Sequence, residues 1–293
     1  MATIGLQLKD FSSMSVPTNV PSITLNDGVV IPQLGFGVWQ VGADEIVPAV
    51  ATALEAGYRH LDTAAAYGNE DGVGKAIAES GIAREELFVT TKLWNSDHKA
   101  DDARRAIETS LEKLGLDHLD LYLIHWPATV KYGDAYIEAW DSMQQFKAEG
   151  LVRSIGVSNF VQQHLDKLQG TTPSVNQIEV HPTFQQRELR ELNTSRGITT
   201  EVYTPLGTQS QPGDITLPEV TALAESVGKT PAQVVLRWHL QQGLVVFPKS
   251  VTPTRISENF DVFDFELSDD QMAVLNGLDR GFRQGADPVT AGF

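Results

Sequence analysis

The chain contains no cysteine. That excludes a disulfide framework, thiolate metal sites and cysteine nucleophiles. Long apolar runs are missing too: no stretch approaches the roughly 18 residues that a membrane-spanning helix needs. The first twenty residues, MATIGLQLKDFSSMSVPTNV, have no apolar core behind a basic start, so they do not read as a signal peptide. Residues 1–22 read instead as a flexible leader, with Met14 an alternative start. Basic charge is scarce: 22 Lys and Arg face 38 Asp and Glu, a formal net charge of −16. A nucleic-acid partner would need a basic surface. No GxGxxG follows the first apolar run, which removes the strongest sign of an open dinucleotide-binding sheet. A soluble cytoplasmic protein is the expectation, and 41% apolar content gives it a sizeable core.

Periodicity supplies the architecture. ITLNDGVVIPQ (23–33) reads as a hairpin, because Asn26-Asp27-Gly28 is turn chemistry between β-branched residues. Eight short apolar runs follow: LGFGVW (34–39), YRHLDT (58–63), LFVTTKLW (87–94), LDLYLIHW (119–126), VRSIGVSN (152–159), SVNQIEV (174–180), TTEVYTPL (199–206) and GLVVFPKS (243–250). Amphipathic segments separate them. In DDARRAIETSLEKLG, Ala103, Ile107, Leu111 and Leu114 share a face, and Gly115 suits the stop. Thr230-Pro231-Ala232-Gln233 and Ser268-Asp269-Asp270-Gln271 are capping boxes that open two more helices. Eight strand–helix units in this length predict one closed (β/α)₈ barrel over residues 23–293, with an N-terminal β-hairpin and an extra C-terminal helix.

In such barrels the working residues lie at the C-terminal ends of the strands. Those ends carry Trp39, Asp62, Lys92, His125, Ser158-Asn159, Gln177, Tyr203 and Lys249-Ser250. Singly, each has an ordinary reading: an ion pair for Asp62 or Lys92, a hydrogen-bonded core residue for His125. Their convergence from separate strands favours a site. A tyrosine phenol, with a pKa of about 10, is too weak an acid for ready donation at neutral pH. A nearby ammonium pulls that value down, and a carboxylate keeps the ammonium charged and aimed. Tyr67, Lys92 and Asp62 are those three groups, and His125 could hydrogen-bond the oxygen that receives the proton. The set suits carbonyl reduction. In FPKSVTPTRISEN (247–259), Lys249 and Arg255 join hydroxyls and a helix start, which together make a phosphate site.

These segments resemble the aldo-keto reductase family. GYRHLDTAAAYGNE, LIHWP, RSIGVSNF, VNQIEVHP and FPKSVTPTRISEN are similar to its motifs, in the family order, over roughly residues 23–280. Through KTPAQVVLRWHLQQG and ENFDVFDFELSDDQM the likeness is closest to bacterial 2,5-diketo-D-gluconate reductase-like members. The resemblance implies an NADPH-dependent oxidoreductase, with NADH less favoured. Tyr67 matches the proton donor, Asp62 and Lys92 its tuning pair, and His125 the residue that orients the substrate carbonyl. Ser158, Asn159 and Gln177 match the holders of the nicotinamide carboxamide, and Tyr203 the aromatic beneath its ring. Lys249, Ser250, Val251, Thr252, Arg255 and Asn259 match the adenosine-phosphate site, with Arg255 on the 2′-phosphate. The implied cofactor set also takes in Val38, Trp39, Thr204, Pro205, Leu206 and Gly207. Trp39, Trp94 and Trp126 are expected to line the substrate pocket with His125.

Departures from the family pattern are Val38, where many members carry a hydroxyl, Thr204, where serine is common, and Thr252, where some carry arginine. The loops after His125 and Tyr203 are short, which implies an open pocket. The substrate implied is a small carbonyl (an aldehyde, α-dicarbonyl or keto-sugar) and the chain is expected to act as a monomer. Three rival readings remain. A metal-dependent hydrolase would use His60, Asp62, His125 and His181 as ligands. A Schiff-base aldolase would use Lys92 as nucleophile, but a neighbouring carboxylate would hold Lys92 charged. A barrel of this family could also bind NADPH as a sensor with little turnover.

Overall fold

The structure, a computed structural model, describes residues 20–207 and 213–293. Residues 1–19 of the expected leader and residues 208–212 of the loop after Tyr203 lie outside the described residues. Two strands come first. β1 (Ser22–Thr24) and β2 (Val30–Pro32) pair antiparallel with Ile23 opposite Ile31. Gly28 turns the chain between them at φ 86°, a backbone conformation that any Cβ disfavours.

Eight parallel strands follow: β3 (Phe36–Gly37), β4 (His60–Asp62), β5 (Phe88–Leu93), β6 (Leu119–Ile124), β7 (Val152–Ser158), β8 (Val175–Glu179), β9 (Thr199–Tyr203) and β10 (Val245–Val246). Each falls inside one of the eight apolar runs, and neighbours pair in sequence order from β3 to β10. Leu34 closes the ring by bridging Val246 in parallel. There the Gly35 amide donates to the Val246 carbonyl at 2.9 Å, and the Val246 amide donates to Gln33 at 3.0 Å.

Helices make the return crossings. They are α1 (Ala43–Ala56), α2 (Glu70–Ser80), α3 (Ala100–Leu114), the single turn α4 (Thr129–Tyr132), α5 (Tyr136–Ala148) and the short α6 (Gln162–Leu165). Then come α7 (Arg187–Ser195), the pair α8 (Pro218–Val227) and α9 (Pro231–Gln241), α10 (Pro253–Phe260) and the extra α11 (Asp269–Asn276). α3 buries Ala103, Ile107, Leu111 and Leu114, and Gly115 ends it in the left-handed conformation. Both capping boxes form: the Thr230 hydroxyl accepts from the Gln233 amide, and the Ser268 hydroxyl from the Gln271 amide.

Alternation along the strands sorts the side chains into two layers. Leu61, Val89, Tyr122, Ile124, Val157 and Val202 point outward into the main core beneath the helices. Phe88, Leu121, Leu123, Val175, Val245 and Phe247 fill the interior, and Leu25 and Ile31 of the hairpin pack with them. The hairpin therefore stoppers the end of the barrel where the strands begin. Gly156 in β7 is required by space: a Cβ there would come within 2.7 Å of the Val175 carbonyl oxygen. His60 belongs to the lower interior, with its ring nitrogens 3.3 Å from Pro32 O and 3.0 Å from Thr90 Oγ1. Burial pushes its pKa down to about 3, so it stays neutral.

Candidate active site

At the other end of the barrel the interior turns polar. Asp62 ends β4, and Lys92 stands near the end of the neighbouring β5, where Asp62 lies opposite Thr90. The Lys92 ammonium is fully buried and donates to Asp62 Oδ1 at 2.7 Å, to Thr63 O at 2.9 Å and to Tyr67 Oη at 3.4 Å. All three of its hydrogens thus have acceptors. Tyr67 reaches this point because a 3₁₀ turn over Ala65–Tyr67 follows β4, closed by Gly68 at φ 66°. Asn69 anchors the turn. It precedes α2, but its side chain does not cap the helix. Its amide nitrogen instead donates to Val38 O at 3.0 Å and Val41 O at 3.3 Å, and its oxygen accepts from Thr63 Oγ1 at 3.1 Å.

The electrostatics follow from burial. Burial would pull the Lys92 ammonium below its ordinary value, but Asp62 and Tyr67 together hold it above. For Tyr67, burial raises the phenol above its usual range, while Lys92 acts in the opposite direction. The sequence expectation of a net lowering is therefore corrected: the lysine pulls as anticipated, and burial outweighs it. His125, just beyond β6, is pushed well below its ordinary value by burial and then by the Lys92 charge, so its ring is neutral. It stands edge-on to Tyr67 at 5.6 Å and to Trp94 at 5.2 Å, and its Nδ1 is buried with no partner among the described residues.

The remaining strand ends join the same network. Ser158 Oγ donates to Gln177 O at 2.9 Å, and Asn159 Nδ2 donates to His125 O and Ser158 Oγ, both at 3.0 Å. Asn159 is held in the left-handed region at φ 64°, a strained position of the kind that collects at functional sites. Its Oδ1 accepts from Tyr203 Oη at 2.7 Å. Gln177 Nε2 donates to Asp62 Oδ2 at 2.9 Å and to Glu201 Oε2 at 3.0 Å. Beyond Tyr203, Thr204 has φ 53°, Pro205 O lies 2.9 Å from His239 Nε2, Leu206 packs on the core, and Gly207 has φ 70°.

Lys249, Ser250, Val251 and Thr252 run from β10 to the start of α10, with Arg255 in its first turn and Asn259 near its end. Lys249, Thr252 and Arg255 are exposed, while Ser250 and Asn259 are buried. The Thr252 amide donates to Ser250 Oγ at 3.1 Å. Like α1, α2 and α3, α10 has no side-chain cap, but unlike them it carries no acidic residue in its first turn. Among the described residues neither Lys249 nor Arg255 has a carboxylate partner.

Trp94 and Trp126 meet across Phe293, which lies parallel to Trp94 at 6.2 Å and edge-on to Trp126 at 5.1 Å. Trp39 stands 53% exposed on the rim. The Val38 side chain instead lies in the outer core, 1% exposed, so only its backbone could reach a ligand.

Sequence reading missed three features. Glu201 lay inside TTEVYTPL, read as an apolar run, although its parity with Tyr203 places it on the inner face. Phe293 carried no signal. The third is a clamp: His181 lies between Glu179 Oε1 at 3.0 Å and Asp214 Oδ2 at 2.8 Å. Glu179 also accepts from the amides of Gln284 at 2.6 Å and Gly285 at 2.9 Å, which fastens the C-terminal segment to β8. Among the described residues no group of three or more His, Asp or Glu side chains is arranged to hold a metal ion.

The sequence pattern of the aldo/keto reductase family matches residues 33–280. Over 273 residues the chain is 53% identical to methylglyoxal reductase DkgA of Escherichia coli (strain K12), spanning 92% of this chain and 98% of that protein. An aldo-keto reductase of Mycolicibacterium smegmatis is 51% identical over 276 residues, 93% of this chain and 98% of its own. Among solved structures, an aldo/keto reductase from Brucella melitensis superposes with a TM-score of 0.85 at 51% identity, covering 90% of this chain and 100% of its own. A variant of Gox0644 in complex with NADPH gives a TM-score of 0.88 at 45% identity, covering 94% and 99%.

Proposed function

Since the chain belongs to the aldo/keto reductase family, we propose that it reduces a small carbonyl to an alcohol with NADPH, using Tyr67 as the proton donor. One observation carries this reading: the buried Lys92 ammonium shared between Asp62 Oδ1 at 2.7 Å and Tyr67 Oη at 3.4 Å. Burial keeps the phenol neutral before reaction. Once its proton leaves for the carbonyl oxygen, the charge left on Tyr67 Oη forms beside a fixed cation. Stabilisation that appears only as charge develops lowers the barrier rather than the ground state. His125, being neutral, can donate a ring N–H to the same carbonyl oxygen.

NADPH, when bound, supplies the hydride. The residues present fit it. Both amide hydrogens of Gln177 are already used by Asp62 and Glu201, so toward a ligand it offers an acceptor, suited to a carboxamide N–H. Ser158 and Asn159 complete that polar corner, and Tyr203 gives a flat, half-buried ring beside it. At α10, Lys249 and Arg255, without carboxylate partners among the described residues, flank a helix start free of acidic residues, where an anion is favoured. Arg255, with its planar fork, is assigned to the 2′-phosphate. The Val38 and Thr204–Gly207 backbone would edge the same groove.

The substrate class comes from the relative named a methylglyoxal reductase. An α-dicarbonyl such as methylglyoxal, or a keto-sugar such as 2,5-diketo-D-gluconate, is proposed. Trp39, Trp94, Trp126 and Phe293 give it an aromatic wall. Asp62, Tyr67, Lys92 and His125 all come from one chain, so the reading needs only a monomer, and a cytoplasmic location is proposed with it. Among the described residues no helix is long and apolar enough to cross a membrane.

NADPH consumption with methylglyoxal tests the reading, wild type beside Tyr67→Phe. Turnover is expected to fall by roughly 10²–10⁴-fold, the usual weight of a general acid. NADPH binding, followed by fluorescence, should stay intact. Turnover that survives in the variant would remove Tyr67 as the acid.

A further inference from the structure

The inner face of β9 carries a carboxyl group without an assigned task. Glu201 is fully buried, its Oε2 accepts from Gln177 Nε2 at 3.0 Å, and its Oε1 has no partner among the described residues. The same Gln177 nitrogen donates to Asp62 Oδ2 at 2.9 Å, and Asp62 Oδ1 holds Lys92 at 2.7 Å. A single chain of contacts thus leads from Glu201 to the group that touches Tyr67. Resting on the reading above, we propose that Glu201 is a positioning residue, held as the neutral acid at neutral pH, whose ionisation weakens proton donation by Tyr67.

Charge balance supports the neutral form. Asp62 faces Glu201 from β4, Lys92 from β5, and Tyr67 and His125 stand above them. His60 lies one layer below and is neutral. β8 contributes the Gln177 amide, and on the other flank β10 places apolar Val245 opposite Glu201. Lys92 and Asp62 already cancel. A second carboxylate would stand uncompensated in the interior with one oxygen unsolvated and unbonded, a costly state. Burial, followed by repulsion from Asp62, raises Glu201 to about 8.

The same amide needs Glu201 in place. Without an acceptor there, one Gln177 hydrogen is stranded and the aim on Asp62 loosens. When Glu201 ionises, its added negative charge favours the Lys92 cation and opposes a phenolate on Tyr67. Tyr67 then becomes a poorer acid, so reduction should slow as pH rises through this ionisation.

The test pairs a pH profile of methylglyoxal reduction, wild type against Glu201→Gln, with infrared spectra of cofactor-free protein. In the wild type, kcat should fall by up to about tenfold between roughly pH 7 and pH 9, following the acid fraction of a group that titrates at about 8. In Glu201→Gln that inflection should vanish, whatever the height of the profile. The wild-type minus Glu201→Gln spectrum should show a neutral-carboxyl band at neutral pH that fades at alkaline pH. A missing band, or an inflection that persists in the variant, overturns the proposal. Should Glu201→Gln fail to fold, Glu201→Asp takes its place: band and inflection must shift with it, and unmoved values overturn the proposal. The infrared band needs no turnover, so Glu201 and the Tyr67 reading can fail separately.

Discussion

Arg255 is the side chain at which the proposed preference for NADPH can be tested singly. It is exposed, free of carboxylate partners among the described residues, and placed in the first turn of an uncapped helix. A charge-assisted contact of this kind is worth about 1.5–3 kcal/mol. Arg255→Ala should therefore raise KM for NADPH roughly ten- to hundredfold and leave KM for NADH nearly unchanged. Equal effects in steady-state assays with both nucleotides would take Arg255 off the 2′-phosphate. At this scale much of the candidate site was legible. Their places at the ends of barrel strands bring Asp62 and Lys92 to one rim, and Tyr67 follows from the turn after β4. Glu201 hid because an acid flanked by threonine and valine reads as a flaw in an apolar run. Asp214 was invisible for a different reason: it meets His181 across 33 residues of chain, which local pattern cannot reach. The net direction of the Tyr67 shift was not legible either, because burial of one phenol depends on everything packed above it.

Elements were read well in number and poorly in length. LGFGVW is buried from Leu34 through Val38, yet only Phe36–Gly37 forms β3. Apolar runs report burial, whereas strands report pairing, and at barrel ends the two part company as residues turn from the ladder toward the site. The hairpin illustrates the reverse, since both its strands and its turn lie where ITLNDGVVIPQ puts them. What pattern could not say is where it docks. Ile31, fully buried, plugs the floor beside Phe88 and Val175, far along the strands from the polar rim. Ile31→Ala should cost roughly 2–5 kcal/mol of stability through the cavity left behind. Its KM values should stay those of the wild type. Denaturant unfolding beside steady-state kinetics checks both, and a raised KM would mean that the floor and the rim are coupled.

For the whole molecule, pH acts through two buried clusters. Burial opposes charge on Glu179 and Asp214, but His181 and backbone donors hold both below their ordinary range. His181 is held above its own, despite burial, by those two carboxylates. The clamp therefore loses stability as acid protonates the carboxylates, and again as pH rises past the raised value of His181. Glu201 adds to the loss as pH rises from the ordinary carboxyl value to about 8. Its folded value of about 8 exceeds the ordinary carboxyl value, so its contribution is complete in acid and is lost as pH climbs through that range. Maximum stability should lie in the mildly acidic range, above the lowered carboxylates and below the ordinary histidine value. Breaking a buried pair from one side costs about 3–5 kcal/mol, so His181→Gln should lower Tm by roughly 5–10 °C near pH 6. The deficit should shrink at alkaline pH, where the wild-type histidine has lost its proton. A deficit that is constant with pH, in calorimetry at both ends, would show that His181 acts by shape alone.

The bridge between Leu34 and Val246 also sets an order of events at the ribosome. The outer edge of β3 can pair only after the last strand has been made. At about 5–20 residues per second that wait lasts roughly 10–40 s. Through that interval a nascent chain shows an open sheet edge, the kind of surface on which chains pair wrongly with one another. Any truncation before residue 246 would make that exposure permanent, so premature termination should yield aggregates rather than a smaller working barrel.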